Sequence, residues 1–131
     1  MNDTHPALTL LRVAATPTEN ADPATFTGRA RVNRLGGAGA APQVRFFRVA
    51  FEPGARTHWH VHSGTQLLLV VEGRCFVQRW SGPVEVAETG DVVHIPPGAK
   101  HWHGAGRDGP TTHVAVNLDA ETTWMEPAPE P

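Results

Sequence analysis

The sequence predicts an all-β protein with little or no helix, in which many short strands close into a barrel or pack as a sandwich. Thirteen glycines and twelve prolines, about a fifth of the 131 residues, are spread between short apolar segments. No stretch of ten or more residues has a convincing helical period. Closing the sheet would remove the exposed edges that so many short strands otherwise leave.

The strands are predicted in order from alternation and from the turn residues that end each segment. A Gly-rich run at residues 36–42 is predicted as a loop, and residues 74–80 are predicted as the hairpin mate of residues 66–72. The predicted strands are residues 26–35, 43–51, 56–62, 66–72, 74–80, 84–87, 92–95, 101–103 and 112–118.

The length fits one domain, residues 1–131, with its barrel at residues 26–118. Residues 1–25 are rich in Ala, Thr, Pro and Asp, and we predict a mobile arm that could add a strand to a partner or to the barrel edge. Residues 119–131 are polar and Pro-rich, and we expect this tail to fray after Met125.

Composition argues against several classes of function. The formal net charge is −2 and the basic residues form no run, so we expect no nucleic-acid partner. The longest apolar run, residues 67–71, is far shorter than a membrane span, so we expect no membrane partner. The single cysteine, Cys75, cannot form an internal disulfide, and no signal pattern opens the chain, so we predict a cytoplasmic protein.

Histidines are concentrated in two clusters, at residues 58–62 and 101–103. Strict alternation over residues 56–62 places Arg56, His58, His60 and His62 on one side of a strand, where the His-x-His spacing lets two imidazoles grip one ion.

Two further residues complete the predicted ligand set. Gln66 could add an amide oxygen from the adjoining strand, and His101 could add a third imidazole. Such a mixed nitrogen and oxygen set suits Mn, Fe, Co, Ni or Zn.

The chain resembles the cupin superfamily at these residues. Residues 54–73 follow the first cupin motif, G-x5-H-x-H-x3-E-x6-G, except that Gln66 replaces the Glu. The second motif, G-x5-P-x-G-x2-H-x3-N, is matched through His101 but ends in Ala105 instead of Asn. The resemblance implies a jelly-roll antiparallel β-barrel that holds one divalent metal ion through His60, His62, Gln66 and His101.

A narrower resemblance covers five short strings. They are F-T-G at residues 26–28, F-E-P-G-A-R-T at 51–57, K-H-W-H-G-A at 100–105, T-H-V-A-V-N at 112–117 and W-M-E at 124–126. They are similar to those of small bacterial cupins that include manganese-dependent (R)-selective hydroxynitrile lyases. The resemblance implies a lyase acting on α-hydroxynitriles, with manganese as the preferred ion, and a homodimer or homotetramer.

Three further histidines are candidates for the catalytic base. His103 shares a strand face with His101 and ranks first, while His113 on the last strand and His58 beside His60 follow. An imidazole near pH 7 is suited to taking a hydroxyl proton and returning it. Each of the three could instead orient a ligand through its ring N–H.

The predicted walls favour a small, uncharged, partly aromatic substrate. Phe47, Val49 and Leu68 would line the pocket, whereas Arg45 or Arg56 pointing inward would argue against an uncharged substrate. Two alternatives stay open: a dioxygenase that uses Fe or Ni on an enol or diketone, and a barrel that binds a small ligand without catalysis.

Overall fold

The computed structural model describes residues 4–35 and 44–131, and it confirms the all-β prediction. The helical segment in these ranges is one 3-10 turn, Val13–Ala15, and no helix in them is long and apolar enough to cross a membrane. The predicted loop at 36–42 and Gln43 lie outside the described residues. The strands are β1 Thr18–Asn20, β2 Phe26–Thr27, β3 Ala30–Arg34, β4 Val44–Phe51, β5 Arg56–Thr57, β6 His60–His62, β7 Thr65–Glu72, β8 Cys75–Arg79, β9 Val84–Ala87, β10 Val92–Ile95, β11 His101–Ala105, β12 Thr111–Leu118 and β13 Thr122–Trp124.

The strands form two antiparallel sheets. One has the order β1-β3-β4-β12-β7-β10; the other has the order β13-β6-β11-β5-β2, with β8 pairing both β11 and β9. Strand β12 pairs β4 on one side and β7 on the other over most of its length, so its alternate residues His113, Ala115 and Asn117 share one face. Ala115 on that face packs with Leu68 and Ile95 in the core.

Two predicted strands are interrupted. Gly28 has φ +80°, and the predicted strand 26–35 divides there into β2 and β3. The predicted strand 56–62 breaks at His58 and Trp59, because the backbone of Trp59 bonds the C-terminal segment instead: its N–H donates to the Glu126 carbonyl, and its own carbonyl accepts from the Met125 N–H. Arg56 and His60 therefore do not lie on one continuous strand.

The predicted hairpin between residues 66–72 and 74–80 is wrong. Strand β7 pairs β10 and β12, whereas β8 pairs β9 and β11 in the other sheet. Gly73, with φ +70°, is the corner at which the chain passes between the sheets, and a Cβ there would collide with the Pro110 carbonyl. Alternation identified both strands but could not say which neighbour each one pairs with.

The sheets extend past the predicted limits of 26–118 at both ends. Strand β1 lies within the predicted arm and pairs β3, and β13 lies within the predicted tail and pairs β6. Beyond Met125 the tail lies against the barrel: Ala128 is buried against Trp59 and Trp102, and its carbonyl accepts from Arg56 Nε at 3.1 Å.

Candidate metal centre

Five imidazoles meet between the two sheets, beside a cavity of about 610 Å³. The ring centroids of His60 and His101 are 4.2 Å apart, and those of His62 lie 4.9 Å from His60 and 5.3 Å from His101. His60 and His101 are opposite one another in the β6–β11 register, which explains their closeness.

Gln66 brings the second sheet into the cluster. It lies on β7, and its Oε1 is 3.4 Å from Nε2 of His101 on β11. The structure therefore brings together all four residues that the sequence predicts as ligands.

The Nδ1 of each imidazole in the predicted ligand set is hydrogen-bonded to a group outside the cluster. His60 Nδ1 lies 2.8 Å from the His58 carbonyl, and His101 Nδ1 lies 2.8 Å from the Ala99 carbonyl. A carbonyl only accepts, so both rings donate from Nδ1 and keep a lone pair on Nε2. His62 Nδ1 lies 2.8 Å from the hydroxyl Oγ1 of Thr122.

The electrostatics of the cluster fit a metal ion. Burial lowers the pKa of His60 well below its usual range, lowers that of His62, and lowers that of His101 to about 4. The rings are therefore neutral at pH 7, the form in which imidazole binds a metal. Within the described residues, His62 Nε2 is buried beside Gln66 with no well-formed hydrogen bond, a cost that coordination to an ion would remove.

His103 lies as close to the cluster as the predicted ligands do. One ligand atom from each of His60, His101 and His103 falls within 4.8 Å of the others, so these three histidines form a group that could hold an ion. The sequence predicts His103 as a base. Its Nδ1 bonds another imidazole, that of His113, whereas His60 and His101 bond backbone carbonyls.

His103 and His113 form a buried pair. Their facing nitrogens, His103 Nδ1 and His113 Nε2, are 2.9 Å apart, while His103 Nε2 and His113 Nδ1 are buried with no side-chain partner in the described part of the chain. Burial lowers the pKa of His113 to about 4, and burial followed by the charge of His113 lowers that of His103 well below its usual range. Both rings are neutral at pH 7, and exactly one of the two facing nitrogens carries the shared proton.

His58 does not join this cluster. The interruption of the strand gives His60 the His58 carbonyl as a partner, and the ring of His58, though buried, is not among the cavity walls. The inference that it shares a face with His60 is wrong, because that inference required a continuous strand.

The buried part of the cavity lining combines the imidazoles and amides with a few apolar side chains, and the charged side chains lie among the more exposed lining. Phe47, Val49 and Ala115 line the cavity with the imidazoles, whereas Leu68 is fully buried in the core. Arg56 is held by backbone carbonyls and is not a wall residue.

Within the described residues, two arginines and two carboxylates border the cavity. Arg45 lies on its exposed lining, so one of the two arginines that would argue against an uncharged substrate is at the cavity. Arg34 is also on the lining and is paired with Glu19 at 3.3 Å, and Asp22 accepts from the Ala24 N–H. The formal charges of these four side chains cancel.

Three residues near the cluster escaped the sequence analysis. Asn117 accepts from Gln66 Nε2 at 2.8 Å, Thr122 bonds His62, and the Trp124 ring lies 4.5 Å from the His60 ring. Alternation from His113 along the predicted strand 112–118 would have placed Asn117 on the face of His113. Thr122 carried no comparable signal, and Trp124 entered only as part of the W-M-E string, because their strand lies in a segment predicted as a tail.

Comparison with protein families gives a match over residues 47–117 to the cupin domain. The chain therefore belongs to the cupin family. The match covers more than half of the chain and includes all four predicted ligands, so the resemblance read from the two motifs is confirmed.

Comparison with curated proteins and solved structures supports the same family. This cupin is 45% identical over 104 residues to the (R)-mandelonitrile lyase of Granulicella tundricola, covering 77% of this chain and 79% of that protein. The crystal structure of a cupin-like protein from Thermotoga maritima matches with a TM-score of 0.81 and 36% identity, over 85% of this chain and 86% of that one. A polyketide cyclase from Streptomyces resistomycificus shares the fold, with a TM-score of 0.74 and 15% identity over 95% and 88% of the two chains.

Proposed function

We propose that this cupin binds one divalent transition metal ion, manganese by preference, through His60, His62, Gln66 and His101. Support comes from the closeness of these side chains, the neutral state of the three imidazoles, and the buried Nε2 of His62, which forms no well-shaped hydrogen bond with any described residue. Iron, nickel, cobalt and zinc also suit three imidazoles and one amide oxygen. When bound, such an ion supplies Lewis acidity, which stabilises negative charge on an oxygen atom.

We further propose that the protein is a lyase that cleaves or forms α-hydroxynitriles. The 45% identity to an (R)-mandelonitrile lyase supports this substrate class. The observation that carries the reaction type is the buried His103–His113 pair beside the predicted ligand set, because the reaction needs one group that takes a hydroxyl proton and returns it.

The proton steps follow from the hydrogen bond within this pair. When His103 donates from Nδ1 to His113 Nε2, its own Nε2 holds a lone pair and accepts the proton of the substrate hydroxyl. The bond to the nitrile carbon breaks, its electron pair leaves as cyanide, and the oxygen forms the carbonyl of an aldehyde or ketone. His103, whose pKa burial keeps low, then gives the proton to cyanide and returns to its neutral form.

The cavity supports a small and uncharged substrate with an aromatic part. Phe47 and Val49 present apolar surface beside the imidazoles, and Phe26 and Trp124 add aromatic surface to the lining. The formal charges of the described lining residues cancel, and Arg45 on the exposed lining is the feature that would favour a negatively charged group. Assembly as a homodimer or homotetramer stays a prediction.

The test measures cyanide released from racemic mandelonitrile by protein that has been stripped with a chelator and then reloaded with manganese. We expect release above the spontaneous rate only from the reloaded protein, with preferential consumption of the R enantiomer. Equal release by stripped and reloaded protein would contradict the proposal. Oxygen uptake with an enol or diketone, without cyanide release, would support the dioxygenase alternative instead.

A further inference from the structure

Asn117 and Gln66 form a buried amide pair that joins β12 to β7. The two residues are opposite each other in the strand register, and Gln66 Nε2 donates to Asn117 Oδ1 at 2.8 Å. Both side chains are buried, with 6% and 4% of their surface exposed. A hydrogen bond between two buried amides holds both side chains in fixed orientations.

The direction of this bond decides which atom Gln66 presents to the imidazoles. The carbonyl oxygen of a glutamine amide attracts a cation, whereas the NH2 group at the other end of the amide repels it. With Nε2 engaged by Asn117, the oxygen Oε1 is turned toward the cluster, 3.4 Å from His101 Nε2. Rotation of the amide by half a turn would place N–H groups among the ligand atoms.

Gln66 therefore has a hydrogen-bond partner outside the proposed metal site, as each of the three imidazoles has. His60 and His101 donate to carbonyls, which leaves the Nε2 lone pair of each free, and His62 Nδ1 bonds the Thr122 hydroxyl. For the glutamine, the side chain of Asn117 is that partner.

We propose that Asn117 is a positioning residue that holds the Gln66 carbonyl oxygen toward the ion. The inference rests on the proposed metal site and assigns to Asn117 a role in affinity without direct contact to the ion. It also explains how a neutral amide can replace the Glu of the first cupin motif, because an amide must be oriented whereas a carboxylate offers an oxygen on either side.

The experiment titrates metal-free protein with manganese chloride and follows the free Mn²⁺ signal by electron paramagnetic resonance. Loss of an outer hydrogen-bond partner of a ligand costs about 10-fold to 100-fold in affinity, so we expect Asn117→Leu to weaken binding by that factor. Asn117→Asp keeps an acceptor for Nε2, and we expect it to bind within about 3-fold of the parent. Asn33→Leu is the matched control, because Asn33 is equally buried and hydrogen-bonded, but to Pro17 and Thr18. It should leave affinity unchanged.

A double-mutant cycle separates orientation from simple packing. In the Gln66→Glu background either carboxylate oxygen can face the ion, so the penalty of Asn117→Leu should shrink to less than about 3-fold. An equal penalty in both backgrounds would overturn the proposal, because lost packing would act alike in both. So would unchanged affinity in Asn117→Leu when the parent binds manganese. Absence of manganese binding by the parent and all variants would overturn the metal site itself together with this role.

Discussion

Two of the predicted ligands, His60 and His101, lie in one cluster with the His103–His113 pair, yet the two sets of rings are held in different ways. His60 and His101 bond backbone carbonyls, which accept and never donate, so the proton stays on Nδ1 and the lone pair stays on Nε2. His103 and His113 bond each other, and an imidazole nitrogen can donate or accept. Fixed partners suit residues that must hold an ion, whereas an exchangeable partner suits a residue that must accept and return a proton.

The largest effect on metal content and activity should follow from removing a predicted ligand whose Nδ1 donates to a backbone carbonyl. We expect His101→Ala to lose manganese during purification and with it all lyase activity, while its far-UV circular dichroism stays that of the parent. Metal content by elemental analysis provides the readout. His94→Ala is the control, since His94 is exposed on β10 and away from the cluster. Stoichiometric manganese in His101→Ala would remove this residue from the ligand set.

The buried His103–His113 pair should make the unfolding free energy of the metal-free protein depend on pH. His113 has a folded pKa of about 4 against an ordinary value near 6.5, so the folded state disfavours the proton. The contribution of the neutral His113 ring to the unfolding free energy is complete above pH 6.5 and is lost as the pH falls from 6.5 toward 4. The shift corresponds to about 3 kcal/mol of unfolding free energy.

Urea unfolding at several pH values measures this effect. Between pH 7 and pH 4.5 we expect His113→Gln to lose less unfolding free energy than the parent, by roughly 2 kcal/mol, since only part of the shift is titrated by pH 4.5. Identical slopes for the two proteins would show that His113 does not keep a lowered pKa in the folded state.

A smaller effect is expected at the hydroxyl that holds His62. Thr122→Val removes the partner of His62 Nδ1 while keeping the shape of the side chain, and we expect manganese affinity to fall about 10-fold. Thr123→Val is the matched control, because Thr123 is the next residue of the same strand, is exposed, and points to the opposite side. Equal losses in both variants would assign the effect to the strand and not to the hydroxyl.

Sequence reasoning found what depends on local spacing and missed what depends on strand pairing. His60 and His62 are two residues apart, and the motif fixes Gln66 and His101 relative to them, so the ligands could be predicted. The partners Asn117 and Thr122 lie on strands that pair with β7 and β6 from far along the chain. No period in the sequence reports such a pairing.

The misplaced residue His58 illustrates the same limit. Alternation through residues 56–62 is regular, but the strand breaks because the C-terminal segment competes for the backbone of Trp59. The C-terminal segment looked polar and Pro-rich, and composition cannot distinguish its buried residues, Ala120 and Ala128, from their exposed neighbours.

We distinguish His60 and His101, which hold the ion, from the His103–His113 pair, which moves a proton. The most direct test measures metal content and cyanide release on the same preparation of His103→Gln. We predict that this variant keeps about one manganese ion per chain, with affinity within about 3-fold of the parent. We also expect its rate of mandelonitrile cleavage to be lower by about 10²-fold to 10⁴-fold, the usual contribution of a general base. Loss of the manganese together with the rate would contradict this prediction and would place His103 with His60 and His101 as a ligand.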